Sequence, residues 1–99
     1  VTTTPAVPDL RRFHAFVVVA EELHFTRAAE RLVMAQSPLS RMIKNLEQDI
    51  GAILFIRTRR SVTLTAAGET MLEFARDVLK RTDRAVRRVR LMERERPSL

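Results

Sequence analysis

Ninety-nine residues are the size of one small domain. Hydrophobic residues make up 45% of the chain, and with five Phe, no Trp and no Tyr the core is expected to be mostly aliphatic. A formal net charge of +6 points to an acidic partner, nucleic acid or an anionic membrane, while the lack of cysteine excludes disulfides, thiolate zinc sites and cysteine nucleophiles. No apolar run approaches the ~20 residues of a membrane span. The first residues lack the basic start and long apolar stretch of a signal peptide. A cytoplasmic location is expected, and the zero cysteine count fits a reducing compartment without demanding one. Charge alone does not separate a nucleic-acid binder from a soluble basic domain.

Residues 1–8 are Thr- and Pro-rich without periodicity and read as a flexible tail. Asp9 is suited to cap a first helix over 10–22, where Leu10, Phe13, Phe16, Val17, Ala20 and Leu23 recur at helical spacing. The β-branched run Val17-Val18-Val19 argues for a strand, but the spacing and the Glu21-Glu22 ending favour helix. Thr26 can cap a short second helix through Val33, with small Ala28 and Ala29 allowing close packing and Leu32 as its buried anchor. Met34-Ala35-Gln36 is a short connection. Ser37 then caps a third helix with Pro38 in first position, where its missing N–H costs nothing, and Gly51 ends that helix.

The third helix has two opposed faces. Leu39, Met42, Ile43, Leu46 and Ile50 form one; Ser37, Ser40, Arg41, Lys44 and Gln48, without a carboxylate, form the other. A cationic, hydrogen-bonding face opposite a buried stripe suits a helix lying in a DNA groove. Two short helices joined by a tight turn, the second with a polar outer face, make the helix-turn-helix plan. Ala52–Ile56 and Val62–Leu64 read as two short strands around a basic tip at Arg57–Ser61, a wing. Thr65 caps a long helix from Ala66 to about Glu95. Its seam of Met71, Ala75, Val78, Thr82, Ala85, Val89 and Met92 has heptad-like spacing, and Leu72, Leu79 and Val86 widen it. Such a seam wants a partner helix. The domain plan is a tail at 1–8, a winged helix-turn-helix at 9–65, a linker helix at 66–95 and an end at 96–99. The fold class is mainly α: three helices and a two-stranded wing, followed by the long dimerisation helix.

In this order, several pieces resemble the N-terminal DNA-binding domain of LysR-type transcriptional regulators. They are Leu10 to Phe25, Thr26 to Leu32, Gln36-Ser37-Pro38-Leu39-Ser40-Arg41, Leu46-Glu47, Gly51, Leu54-Phe55-x-Arg57 and Val62-x-Leu64-Thr65-x-Ala67-Gly68. The match runs from about Asp9 to Met92. Each piece is weak alone; together they are specific. The resemblance implies a bacterial transcription factor that binds interrupted inverted repeats in promoter DNA as a homodimer through its linker helix. It allows a tetramer in the full-length protein and contact with RNA polymerase. The family's effector-sensing domain is absent from these residues. Ser37 stands where the family usually has Pro or Ala, and Ala15 where an aromatic is frequent.

The chemistry of these residues fits that reading. Gln36 can pair bidentately with adenine and Arg41 with guanine, pairs that discriminate by ~1–3 kcal/mol. Ser37 and Ser40 are short enough for close approach, Pro38 offers an apolar surface to a thymine methyl, and Lys44 lies farther along the same face. A solvated turn residue for Gln36 and a surface ion pair for Arg41 are the plain alternatives; Ser37 and Lys44 are evenly balanced. Thr26 and Arg27 open a helix and suit a phosphate, as does Arg57, while Arg59 and Arg60 suit the minor groove at the wing. The expected dimer residues are Met71, Ala75, Val78, Leu79, Thr82, Val86 and Val89. The basic run on the long helix reads as a solvated face, because Asp77 and Asp83 stand four residues before Arg81 and Arg87. His14 and His24 lie ten apart without a carboxylate or cysteine cluster, so no metal or other cofactor is expected. No nucleophile–base pair suggests an enzyme. The rival function is a basic helical module that dimerises through 66–95 and binds no specific DNA. RNA binding is disfavoured, because no aromatic stacking platform is visible.

Overall fold

A computed structural model describes residues 8–97. The expected tail lies outside these residues except for Pro8, and the last two residues of the 96–99 end lie outside as well. The element order is α1 (Leu10–Glu22), α2 (Phe25–Arg31), α3 (Gln36–Ile50), β1 (Phe55–Arg57), β2 (Val62–Leu64) and α4 (Ala66–Arg94).

The first helix is the hub. The Asp9 carboxylate accepts from the Arg12 backbone N–H at 2.9 Å and starts α1. Helices α2, α3 and α4 all pack against it. Every residue from Ala15 to Ala20 is therefore buried, where a single-faced stripe was expected. The β-branched run Val17–Val19 sits in helix because burial on all sides outweighs its strand propensity. Leu10 and Leu23, the two ends of the expected stripe, are exposed. Leu23 closes α1 in the left-handed region (φ 49°).

Two expected caps are replaced. His24, not Thr26, caps α2: its Nδ1 accepts from the Arg27 backbone N–H at 3.1 Å. The helix ends at Arg31 rather than Val33, because Val33 turns into the left-handed region (φ 53°) to make the helix–helix corner. The third helix starts at Gln36 with Ala35 in the capping position and no side-chain cap. Ser37 lies inside it and Pro38 is its third residue. That position still has no intrahelical acceptor for an N–H, so the proline is tolerated. Leu39, Ile43 and Leu46 are fully buried, Met42 packs against the core, and Ile50 is exposed at the helix end. Gly51 (φ 79°) closes α3 as expected.

The hairpin is shorter and later than expected. Strand β1 covers Phe55–Arg57 instead of 52–56, so Arg57 belongs to the strand and the tip is 58–61. The strands pair antiparallel, Phe55 with Leu64, Ile56 with Thr63 and Arg57 with Val62. No Gly or Asn marks the turn because Thr58 makes it: its hydroxyl accepts from the Ser61 N–H at 3.0 Å. Two anchors hold the hairpin's base. The Glu47 carboxylate accepts from the Leu54 N–H at 2.8 Å and the Phe55 N–H at 3.3 Å. Thr65 caps α4 by accepting from the Gly68 N–H, and its own hydroxyl donates to the Ile53 carbonyl. Gly68 is required by close approach: a Cβ there would lie 2.2 Å from the Leu54 carbonyl oxygen.

Three of the five phenylalanines gather at the centre of this otherwise aliphatic core. Phe16 and Phe55 stand 5.3 Å apart between ring centroids, and Phe25 meets Phe55 edge-on at 6.2 Å. They bind α1, β1 and α2 together, so the wing is attached to the helix-turn-helix through aromatic packing. Ion pairs stitch the periphery. Arg12 pairs with Asp49, and Glu21 accepts from Arg31 of α2 and Arg76 of α4. Partial burial pushes the Glu21 carboxyl up, but the hydrogen bonds from Arg76 and Arg31 outweigh it and hold it below the usual range.

Candidate nucleic-acid interface

The N-terminal end of α3, the start of α2 and the wing share one side of the molecule. Thr26, Gln36, Ser40, Arg57, Arg59 and Arg60 line a common open cleft of about 310 Å³. Pro38 and Arg41 line a separate depression of about 380 Å³ on the other flank of α3, with Asp9, Arg11, Arg12 and Asn45. Six residues expected from three separate chain segments thus converge, and Arg41 gains a cationic neighbour, Arg11, that the sequence did not single out. Arg11 was missed because it sits on α1, a helix whose pattern signals core. Ser37 and Lys44 lie exposed on α3, and Arg27 lies exposed on α2.

Hydrogen bonds order part of this face. The Thr26 hydroxyl donates to Gln36 Oε1 at 3.1 Å, which ties the entry of α2 to the entry of α3. The Arg57 guanidinium donates to Ser40 Oγ at 2.6 Å and lies 4.0 Å above the centre of the Phe25 ring. Strand alternation explains this: Phe55 and Arg57 point to one side, and Ile56 points to solvent. Burial lowers the Arg57 pKa and the charge of Glu47 opposes that shift, leaving a guanidinium that remains protonated. Its Nη2 is buried and finds no hydrogen-bond partner; the ring face stands in for one. Arg57 is therefore turned inward, unlike the exposed Arg59 and Arg60 at the tip.

The expected dimer seam is divided. Ala75 is fully buried, Met71, Leu72 and Leu79 pack against the core, and Val78 and Thr82 are half-buried. Val86, Val89 and Met92 are exposed. The first part of the seam thus serves the monomer, and only the distal part is bare. Among the described residues, no group of metal-ligating side chains occurs and no helix is long and apolar enough to cross a membrane.

The sequence model of the bacterial regulatory helix-turn-helix proteins of the lysR family matches residues 10–69. The chain belongs to that family. It is 55% identical over 80 residues to YnfL, an uncharacterised HTH-type transcriptional regulator of Escherichia coli K12, covering 81% of this chain and 27% of YnfL. It is 54% identical over 71 residues to the HTH-type transcriptional regulator AlsR of Bacillus subtilis 168, covering 72% and 24%. The chain therefore spans about a quarter of the length of these LysR-family relatives. Its fold matches the BenM DBD in complex with catB site 1 DNA (TM-score 0.84, 38% identity, 87% of this chain and 96% of that one). It also matches the CbnR DBD–DNA complex (TM-score 0.83, 37% identity, 87% and 99%). The winged helix-turn-helix with a long following helix is thus the LysR-type DNA-binding domain fold, and the relatives are regulators rather than enzymes.

Proposed function

We propose that this LysR-type domain binds double-stranded promoter DNA in the cytoplasm as a homodimer, reading two half-sites of an interrupted inverted repeat. The single observation that carries the reading is the convergence of α3's polar end, the opening of α2 and the wing on one cationic cleft. The BenM and CbnR domains, which share the fold over 87% of this chain, are complexes with DNA.

In this reading, Gln36, Ser37, Pro38, Ser40, Arg41 and Lys44 face the major groove, with Gln36 and Arg41 offering the bidentate contacts. Thr26 and Arg27 at the start of α2 hold a phosphate, and Arg11 beside Arg41 adds a further cation to the backbone track. Arg59 and Arg60 enter or straddle the minor groove from the wing. The bare distal part of α4, with Val86 and Val89, pairs with a second copy, while Met71, Ala75 and Leu79 support that pairing from within the monomer.

The test is a gel shift on sequences enriched from a random pool, competed with random DNA. Enriched DNA should resist competition. Arg41→Ala should relax preference at one position per half-site, by ~1–3 kcal/mol, whereas Arg27→Ala should weaken all sequences alike and lower the salt slope by about one. Equal competition by random DNA would leave the domain a non-specific basic module.

A further inference from the structure

Arg57, expected as a phosphate contact, is turned inward onto Ser40 and Phe25. A guanidinium has five N–H donors and no acceptor. In the 2.6 Å bond to Ser40, the serine oxygen must therefore accept. That direction follows from chemistry, not from an assigned hydrogen position. With Oγ receiving from the wing, the serine's own proton does not lie along that bond and is free to be donated elsewhere, while one acceptor lone pair remains.

The guanidinium cannot leave this post freely. It lies over the Phe25 ring at 4.0 Å, Phe25 is itself held edge-on by Phe55, and Nη2 is closed off from solvent. Glu47, which carries the opposing charge felt by Arg57, is fixed by two backbone N–H groups at the base of the hairpin. We propose that Arg57 is a positioning residue for base reading: it holds the Ser40 hydroxyl in place and polarises it, strengthening it as a donor and weakening its remaining lone pair, so that α3 favours a base edge bearing an acceptor over cytosine. Guanine, adenine N7 and thymine O4 offer acceptors on that edge, whereas cytosine offers the N4 donor. This inference rests on the DNA-binding reading above and adds a specificity determinant to it.

The experiment is a selection from random DNA with the wild type, Ser40→Ala, Arg57→Met and Arg57→Lys, together with the salt dependence of binding and a thermal melt of each. Wild type should disfavour cytosine at one position per half-site by roughly three- to tenfold, the worth of one neutral hydrogen bond. Ser40→Ala and Arg57→Met should each erase that discrimination, the double variant should add nothing, and the salt slope should stay unchanged. Arg57→Lys, also donor-only, should retain the discrimination. A salt slope lowered by about one in Arg57→Met with base preference intact would make Arg57 a phosphate contact and overturn the proposal. Additive effects of the two substitutions would overturn it as well. Should Arg57→Met not fold, Ser40→Ala still decides: discrimination that survives in it refutes the role. Absence of any enrichment by the wild type would instead refute the DNA-binding reading itself.

Discussion

The two parts of α4 carry the same heptad-like stripe and meet opposite surroundings. Ala75 is fully buried and Leu79 packs on the core formed around α1, while Val89 and Met92 lie bare, 58% and 63% exposed. At about 1.5 Å per residue a helix of 29 residues outruns the domain it starts from, so its distal stripe meets no other surface among the described residues. A hydrophobic period therefore says that a helix wants a partner but not whether that partner is in the same chain. The Val86–Met92 stretch also differs from the buried stretch around Ala75 in what a substitution should change: association there, stability at Ala75.

The same substitution made in both parts should separate them most strongly. Ala75→Asp places an unpaired charge in the core and should remove on the order of 4 kcal/mol of stability. Val89→Asp should leave the helical content intact by circular dichroism. Equal loss of structure in both variants would mean that the distal stripe is part of the monomer's core. A smaller effect is expected at the junction where α4 meets the wing. Gly68→Ala sets a methyl against the Leu54 carbonyl and should cost about 3 kcal/mol in thermal unfolding, and an unchanged Tm would show that the junction has room to open. The smallest effect is a gain. Val33 is a β-branched residue at φ 53° and 91% exposed, so it is strained and packs on little. Val33→Asn should stabilise the fold by about 1 kcal/mol, because asparagine tolerates the left-handed region. A lower stability on urea unfolding would show that the turn carries no such strain.

Much of this fold is legible in the chain. The start of α1 at Asp9, the end of α3 at Gly51 and the start of α4 at Thr65 follow from residues whose side chain or missing Cβ fits the terminus. The starts of α2 and α3 each lie two residues before the expected ones, for a common reason. A cap is defined by its backbone angles, and Thr26 and Ser37 are chemically good caps that sit just inside helices begun by His24 and Ala35. Nor does the hairpin tip display a glycine, since Thr58 supplies the turn through its hydroxyl. At the candidate interface, the cationic and polar residues were visible as a set. Their direction was not: Arg57 is expected to face a phosphate and Arg59 and Arg60 the minor groove, and only strand register turns Arg57 inward, to the side of Phe55 and Ser40. Arg11 was hidden by its place on a core helix. Glu47 stood out only as part of the family pattern, with no hint that it receives the hairpin's first N–H groups.

We propose that the bare end of α4 holds together two copies of one reading face. This is tested most directly by sequencing the DNA selected by the wild type and by Val89→Asp. Paired, inverted half-sites at a fixed separation are expected for the wild type, and isolated half-sites bound much more weakly for the variant, which should sediment as a monomer. Paired half-sites recovered equally by a monomeric variant, or no enriched sequence from the wild type, would contradict it.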